Sequence, residues 1–236
     1  MSLAGLFPID KWNFKSQSIL NNLPAEECEY LYAHMQEQRY RKGEIIFREG
    51  GVASGIFCIK KGKVKKYQVD HQGNEHIIYV ANTGELIGYH AILADERYPD
   101  SAATLEECVI VFIPKEDFIF TLNNSDVLPR RLLKALSHEF TVLTNSISVF
   151  AQRSVKERLA ITLIVLRERF KGETAPGQEI MINVSRSDLA KMVGTGNENI
   201  VRFLTEFKAG GILTSHRRMI CIKDIKQLVE ISGCGS

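Results

Sequence analysis

The sequence predicts an α+β fold: a small antiparallel β-roll, then a long amphipathic helix, then a winged helix-turn-helix. Three observations predict it. Short β-prone runs punctuated by glycine fill residues 41–114. An apolar stripe of helical period crosses 128–150. Two short helical segments flank Gly194-Thr195-Gly196 within SRSDLAKMVGTGNENIVRFLTEFKAGGIL at 185–213. The 236 residues, 44% hydrophobic and 25% charged, suffice for a buried core in one large or two small domains.

From the start of the chain, residues 16–38 read as helical. Ile19, Leu20, Leu23, Leu31 and Met35 recur at contact spacing, and Leu23-Pro24-Ala25-Glu26 restarts the helix with proline in its first turn. Then the period changes. EIIF follows Gly43, GIFCIK precedes Lys61-Gly62, KVKKYQV comes next, and EHIIYVA follows Gly73; two further runs lie at 102–105 and 109–113. Lys61-Gly62 and His71-Gln72-Gly73 are hairpin punctuation. Strands this short and this closely spaced close into a small sandwich or barrel.

From 125 to 151 the pattern is helical. Leu128, Leu132, Leu136, Phe140, Leu143, Ile147 and Phe150 fall within an arc of about 120° at about 100° per residue. A helix of this length runs about 40 Å, more than a small β-domain covers. The stripe is therefore expected to pair in parallel with the same helix of a second subunit. Ser154 to Glu157 has the S-x-x-E form of a capping box, so a new helix starts there and runs to about Phe170. The junction near Arg153 is the expected hinge. It divides the chain into a β-roll sensor domain (1–124), a dimerisation helix and hinge (125–153) and a winged helix-turn-helix (154–236). Residues 172–177 read as a turn-rich loop.

Ser185 to Asp188 forms another S-x-x-D cap, opening a helix to about Val193; the second begins near Asn197. There Ile200, Phe203, Leu204 and Phe207 recur at i, i+3, i+4 and i+7 and must be buried. Glu198, Val201, Arg202 and Thr205 occupy the opposite face. Glu198 and Arg202 lie one turn apart, and in a DNA major groove both have defined partners. Arginine forks onto O6 and N7 of guanine, and glutamate accepts from N4 of cytosine. Asn197, at the helix start, suits adenine or a phosphate. After the glycines at 210–211, two apolar runs flank Ser215-His216-Arg217-Arg218, a wing with a basic tip. Arg217 and Arg218 suit phosphates, as does Arg186 at the start of the first helix. Charge agrees: residues 154–236 carry a net +4 and the remainder −2.

No run approaches the roughly 20 apolar residues of a membrane span, and the first residues show no leader pattern, so a cytoplasmic protein without membrane contact is expected. The five cysteines, Cys28, Cys58, Cys108, Cys221 and Cys234, have no metal-ligand spacing and read as reduced thiols. A cupin-type enzyme needs His-x-His plus a glutamate and another histidine; His71, His76 and His90 stand singly. No catalytic or metal site is expected.

RKGEIIFREG (41–50), GIFCIKKGKVKKY (55–67), GELIG (84–88), the 128–150 helix and VGTGNENIVRFL (193–204) occur in the order found in the Crp/Fnr family of bacterial transcription regulators. The resemblance covers nearly all of residues 20–222. It implies a cyclic-nucleotide-binding-like β-roll and a homodimer joined along the long helix. It also implies a near-palindromic double-stranded DNA site and RNA polymerase as a further partner. By the same resemblance Glu198 and Arg202 match the positions that read the G·C pairs of each half-site, and Ser185 and Arg186 match backbone-contact positions. The chain departs from the family where cyclic-AMP-binding members hold their ligand. Gly88 is followed by Tyr89 where a ribose-binding Glu is usual, and Arg-Ser-Ala becomes Asp100-Ser101-Ala102. An aspartate facing a phosphate reverses an attraction of several kcal/mol. The expected effector pocket is therefore Gly88, Tyr89, His90, Ser101, Ala102 and Thr144, with no cyclic AMP bound in the usual mode, no cofactor assigned and the effector unknown. Cys28 alone does not make the N-terminal cluster of an iron–sulfur sensor. In the recognition helix, Gly196 and Asn197 replace a usual serine and a basic or small residue. The competing readings are the same fold responding to a cyclic nucleotide, or to haem through His76, His90 or Cys108, and a protein-interaction module without DNA binding.

Overall fold

The glycine-punctuated runs of the first half all become strands, because each alternates a buried face with an exposed one or is buried on both. In the computed structural model, which describes residues 3, 5–14, 16–17, 19–172, 174 and 178–234, two compact units separate: 14–140, and 1–13 together with 141–236. The first unit begins with α1 (Ala25–Leu31) and continues through β1 (Gln36–Tyr40), β2 (Ile45–Phe47), β3 (Gly55–Lys61), β4 (Val64–Val69), β5 (Glu75–Ala81), β6 (Leu86–Ile87), α2 (Tyr89–Ala94), β7 (Ser101–Thr104), β8 (Cys108–Pro114) and α3 (Lys115–Asn124). Two antiparallel sheets result, ordered β1-β8-β3-β6 and β2-β7-β4-β5. Phe47 of the second sheet stacks at 5.4 Å on Phe57 of the first, closing a roll around Ile56, Ile59, Val64, Ile87 and Ile110.

The sequence suggests helix across 16–38; the structure keeps only α1, beginning just after Pro24. Upstream, Asn22 turns left-handed at φ 53°. The carbonyls of Ile19, Asn21 and Asn22 accept from the Arg131 guanidinium instead of from a helical ladder. Polar β1, QEQRY, lacks the apolar alternation that betrays a strand, yet it pairs with β8 along its whole length.

α4 (Leu128–Gln152) is shared by both units, the division falling between Phe140 and Thr141 rather than near Arg153. Ser125 Oγ accepts from the Leu128 amide and caps its start. The predicted stripe divides. Leu128 and Leu132 are 0% and 3% exposed within the β-roll core, and Leu136 packs against the same core. These three are therefore corrected from dimer contacts to fold contacts, since a β-roll this size covers the first turns of the helix. Phe140, Leu143 and Ile147 stay exposed, and Leu133 joins them.

In the second unit, α5 (Val155–Lys171) opens with the expected capping box: Ser154 Oγ accepts from the Glu157 amide and the Glu157 carboxylate accepts from the Ser154 amide. Such a cap contributes about 1 kcal/mol. β9 (Met181–Asn183), α6 (Arg186–Val193), α7 (Asn197–Ala209), β10 (Leu213–His216), β11 (Met219–Ile222) and α8 (Ile225–Ser232) follow. The small sheet is ordered β10-β11-β9, and Leu159, Val193, Ile200, Leu204, Phe207, Ile220 and Leu228 are buried. Residues 1–13, assigned by sequence to the β-roll domain, group here; Asn145 Nδ2 donates to the Lys11 carbonyl at 3.1 Å. Most of the loop expected at 172–177 lies outside the described residues.

Candidate nucleic-acid interface and β-roll pocket

α6 and α7 are joined by a turn that glycine makes possible. Gly194 sits left-handed at φ 67°, and a Cβ there would come within 3.0 Å of the Phe150 ring. Arg158 of α5 fastens the same turn, donating from Nε to the Val193 carbonyl and from its terminal nitrogen to Gly194. Its guanidinium lies 5.4 Å from the Phe150 ring centre. Phe150, expected in the dimer stripe, thus packs on the helix-turn-helix. Sequence reading missed Arg158, whose long side chain meets these carbonyls through tertiary packing alone.

On α7, Ile200, Leu204 and Phe207 are buried as the period requires, and Phe203 is half-buried. Asn197, Glu198, Val201, Arg202 and Thr205 are exposed together on the outer face. Arg202 is held. Its guanidinium lies 4.6 Å from the Phe203 ring centre and donates to Asn199 Oδ1 at 3.1 Å. Asn199 Nδ2 in turn donates to Thr195 Oγ1 at 2.9 Å. This relay from the turn to the outer face of α7 is a second feature missed in the sequence; Asn199, three residues before Arg202, was the available signal.

At the start of α6, Ser185 Oγ accepts from the Asp188 amide and donates to its carboxylate at 2.5 Å, so its proton already serves the cap. Arg186 differs: its Nη1 is buried with no hydrogen-bond partner among the described residues, and burial pulls its pKa below the ordinary arginine value. An unpaired buried guanidinium nitrogen costs free energy until an anion meets it. Between β10 and β11, Arg217 and Arg218 are exposed at the hairpin tip. Arg217 is left-handed at φ 52°, a conformation costing about 1–3 kcal/mol for a non-glycine residue and clustered at functional sites.

In the β-roll, Gly88, Tyr89 and His90 meet where α2 begins. Gly88 is left-handed at φ 83°, facing Tyr98 and Phe57. Tyr89 is fully buried, donating its hydroxyl to Glu139 at 2.5 Å. His90 stacks on Tyr89 at 4.1 Å and places Nε2 2.6 Å from the other Glu139 oxygen; acceptance by the carboxylate assigns the proton to Nε2. Ser101 and Ala102 are buried on β7, opposite Tyr67 and Lys66 of β4, and Ser101 Oγ accepts from the Glu49 amide. Thr144 is exposed, on the part of α4 grouped with the other unit. Asp100 is not a bare repelling charge either: Lys66 Nζ lies 2.7 Å from its carboxylate, and both are buried.

Glu139 is the residue that sequence reading missed. It lies seven residues after Leu132, on the core-facing side of α4, where a carboxylate is the anomaly to notice. Burial pushes its carboxyl up, but the His90 hydrogen bond and charge, the Tyr89 hydroxyl and nearby Lys66 together outweigh burial and hold it below the usual glutamate value. Burial, then the Glu139 charge, push the Tyr89 phenol far up, so it stays a donor. Glu139→Gln is expected to destabilise the β-roll by about 1.5–3 kcal/mol at pH 7, the range for a hydrogen bond to a charged group. Because the folded carboxyl titrates below an unfolded glutamate, its contribution is complete above about pH 4.3 and fades as pH falls through the folded value. Urea unfolding of both proteins from pH 7 to pH 3 should show the gap closing in acid; a constant gap would contradict an ionised Glu139 carboxylate.

Residues 37–125 match the family model for the cyclic nucleotide-binding domain, and residues 157–231 match the Crp-like helix-turn-helix domain. The fumarate and nitrate reduction regulatory protein of Vibrio cholerae is 28% identical over 193 residues, covering 82% of this chain and 77% of that one. The transcriptional activator protein anr of Pseudomonas aeruginosa is 26% identical, covering 82% and 79%. Among solved structures, FixK2 from Bradyrhizobium japonicum shares the fold with a TM-score of 0.74 at 20% identity, covering 84% of this chain and 96% of that one. With a β-roll of the cyclic nucleotide-binding type ahead of a Crp-like helix-turn-helix, and regulators rather than enzymes as its relatives, the chain belongs to the Crp/Fnr family of transcription regulators.

Proposed function

We propose that the protein is a homodimeric, sequence-specific DNA-binding regulator whose β-roll does not take cyclic AMP in the usual mode. The observation that carries the DNA reading is the outer face of α7, where Glu198 and Arg202 stand exposed one turn apart; the unpaired Arg186 nitrogen at the start of α6 adds to it. Glu198 and Arg202 read base edges, Asn197 adds a contact at the helix start, and Arg186, Arg217 and Arg218 position the phosphates. Ser185 supports this surface mainly as the cap that fixes Arg186. The dimer reading rests on Leu133, Phe140, Leu143 and Ile147, a 42–72% exposed apolar face of α4 within an arc of about 80°. A face of this kind on a long helix fits a second copy of itself.

Cyclic AMP is a poor fit to the residues present. The hydroxyl of Tyr89 is engaged by Glu139, and the position expected to neutralise a phosphate holds Asp100, whose only compensating cation, among the contacts described, is the Lys66 it already pairs with. The phosphate would meet a neutral ion pair and the Glu139 carboxylate. Within this reading the protein acts in the cytoplasm, and RNA polymerase is the partner that the bound dimer addresses; among the described residues no helix is long and apolar enough to cross a membrane.

Selection of duplexes from a random library by the full chain, with and without cyclic AMP, tests both statements. A two-fold symmetric sequence with half-site centres about 34 Å apart, bound equally in both conditions, is the expected result. Recovery of no sequence overturns base reading, and a sequence recovered only with cyclic AMP overturns the statement about the ligand.

A further inference from the structure

The outer face of α7 carries an apolar strip beside its charged groups. Val201 is 53% exposed, a large hydrophobic side chain with no role in the core. One turn further on, Thr205 donates its hydroxyl to the Val201 carbonyl at 2.9 Å. That bond leaves the helix with the Thr205 proton satisfied and the methyl group as the remaining outward chemistry. At about 100° per residue, Val201 and Thr205 lie on one side of Glu198 and Arg202 on the other. Arg202 is drawn to the Asn199 and Phe203 side, away from Val201, so the strip is not shielded by the guanidinium.

We infer that Val201, with the Thr205 methyl beside it, reads the 5-methyl group of a thymine on the Glu198 side of the guanine bound by Arg202. The inference rests on the base-reading role of α7 and adds to it a position of the half-site that neither charged residue specifies. In the major groove only thymine presents an alkyl group, and an apolar side chain recognises it by excluding water from both. An exposed valine on an otherwise polar surface is unremarkable alone. Its position beside Glu198, on the face that also carries Arg202 and next to a threonine whose hydroxyl is turned back to the helix, is what gives it this role.

The test removes the methyl group and nothing else. In the sequence selected by the full chain, each thymine of the half-site is replaced in turn by deoxyuridine, which pairs identically. Affinity is measured for the native chain and for Val201→Ser, whose small exposed substitution leaves the core intact. Native protein should lose about three- to tenfold at one thymine, the scale for one methyl group withdrawn from an apolar contact. In the Ser variant the same replacement should cost less than about twofold. Melting curves confirm that the variant folds. A selected sequence in which no deoxyuridine matters, or a penalty undiminished in Val201→Ser, overturns this inference while leaving Arg202 its role. Failure to select any sequence overturns both.

Discussion

Arg202→Ala should abolish sequence preference while leaving salt-sensitive binding to random DNA. Each bidentate arginine–guanine contact discriminates by about 1–3 kcal/mol, and a dimer on a symmetric site makes it twice. The selected duplex should therefore bind about 30- to 10⁴-fold more weakly, from the tenfold change per 1.4 kcal/mol. Random duplex should bind at nearly its former strength, because Arg186, Arg217 and Arg218 remain to meet phosphates. The fold is little affected: Arg202 is exposed, and its loss costs one hydrogen bond to Asn199 and the stacking over Phe203. Filter binding across a salt series on both duplexes separates the terms. Equal losses on both would assign Arg202 to the backbone and remove the basis for base reading by α7.

The same residue shows how much of the site was legible in the sequence. The exposed face of α7 follows from helical period, and the turn, the caps and the basic hairpin follow from local chemistry, so the exposed placement of Glu198, Arg202, Arg217 and Arg218 is legible in the sequence. What was not legible arises from tertiary contact. Asn199 is an ordinary polar residue until Thr195 and Arg202 close around it, and Arg158 is one more basic side chain until it meets the end of α6. In the β-roll the departures Tyr89 and Asp100 were visible, but their partners were not. Glu139 lies 50 residues from Tyr89 along the chain, and Lys66 lies on a different strand from Asp100. Asp100 therefore looked like an isolated negative charge. The early turns at 16–23 failed as a helix for a related reason: Arg131, more than 100 residues away, supplies donors for their carbonyls.

Ile147→Glu should convert the protein to a folded monomer. Ile147 is 71% exposed and Phe140 72%, so neither contributes to the core, and the melting of each unit should stay close to that of the native chain. Across a symmetric parallel helix pair the same residue meets, or nearly meets, its own copy. One substitution therefore withdraws two isoleucines, each worth about 1.5–3 kcal/mol when fully buried, and brings two like charges into an apolar seam. The combined effect, about 3–6 kcal/mol before repulsion is counted, shifts dissociation by about two to four orders of magnitude. Light scattering at micromolar concentration should then report a single chain. Affinity for the symmetric duplex should fall with it, since one reading head makes half the base contacts and loses the effective concentration that links the two, while the slope with salt becomes shallower because fewer phosphates are neutralised. Leu128 and Leu132, on the same helix but already enclosed by the β-roll, give no such separation of folding from association. A variant that remains dimeric would place the interface elsewhere and leave the apolar face of α4 without its partner.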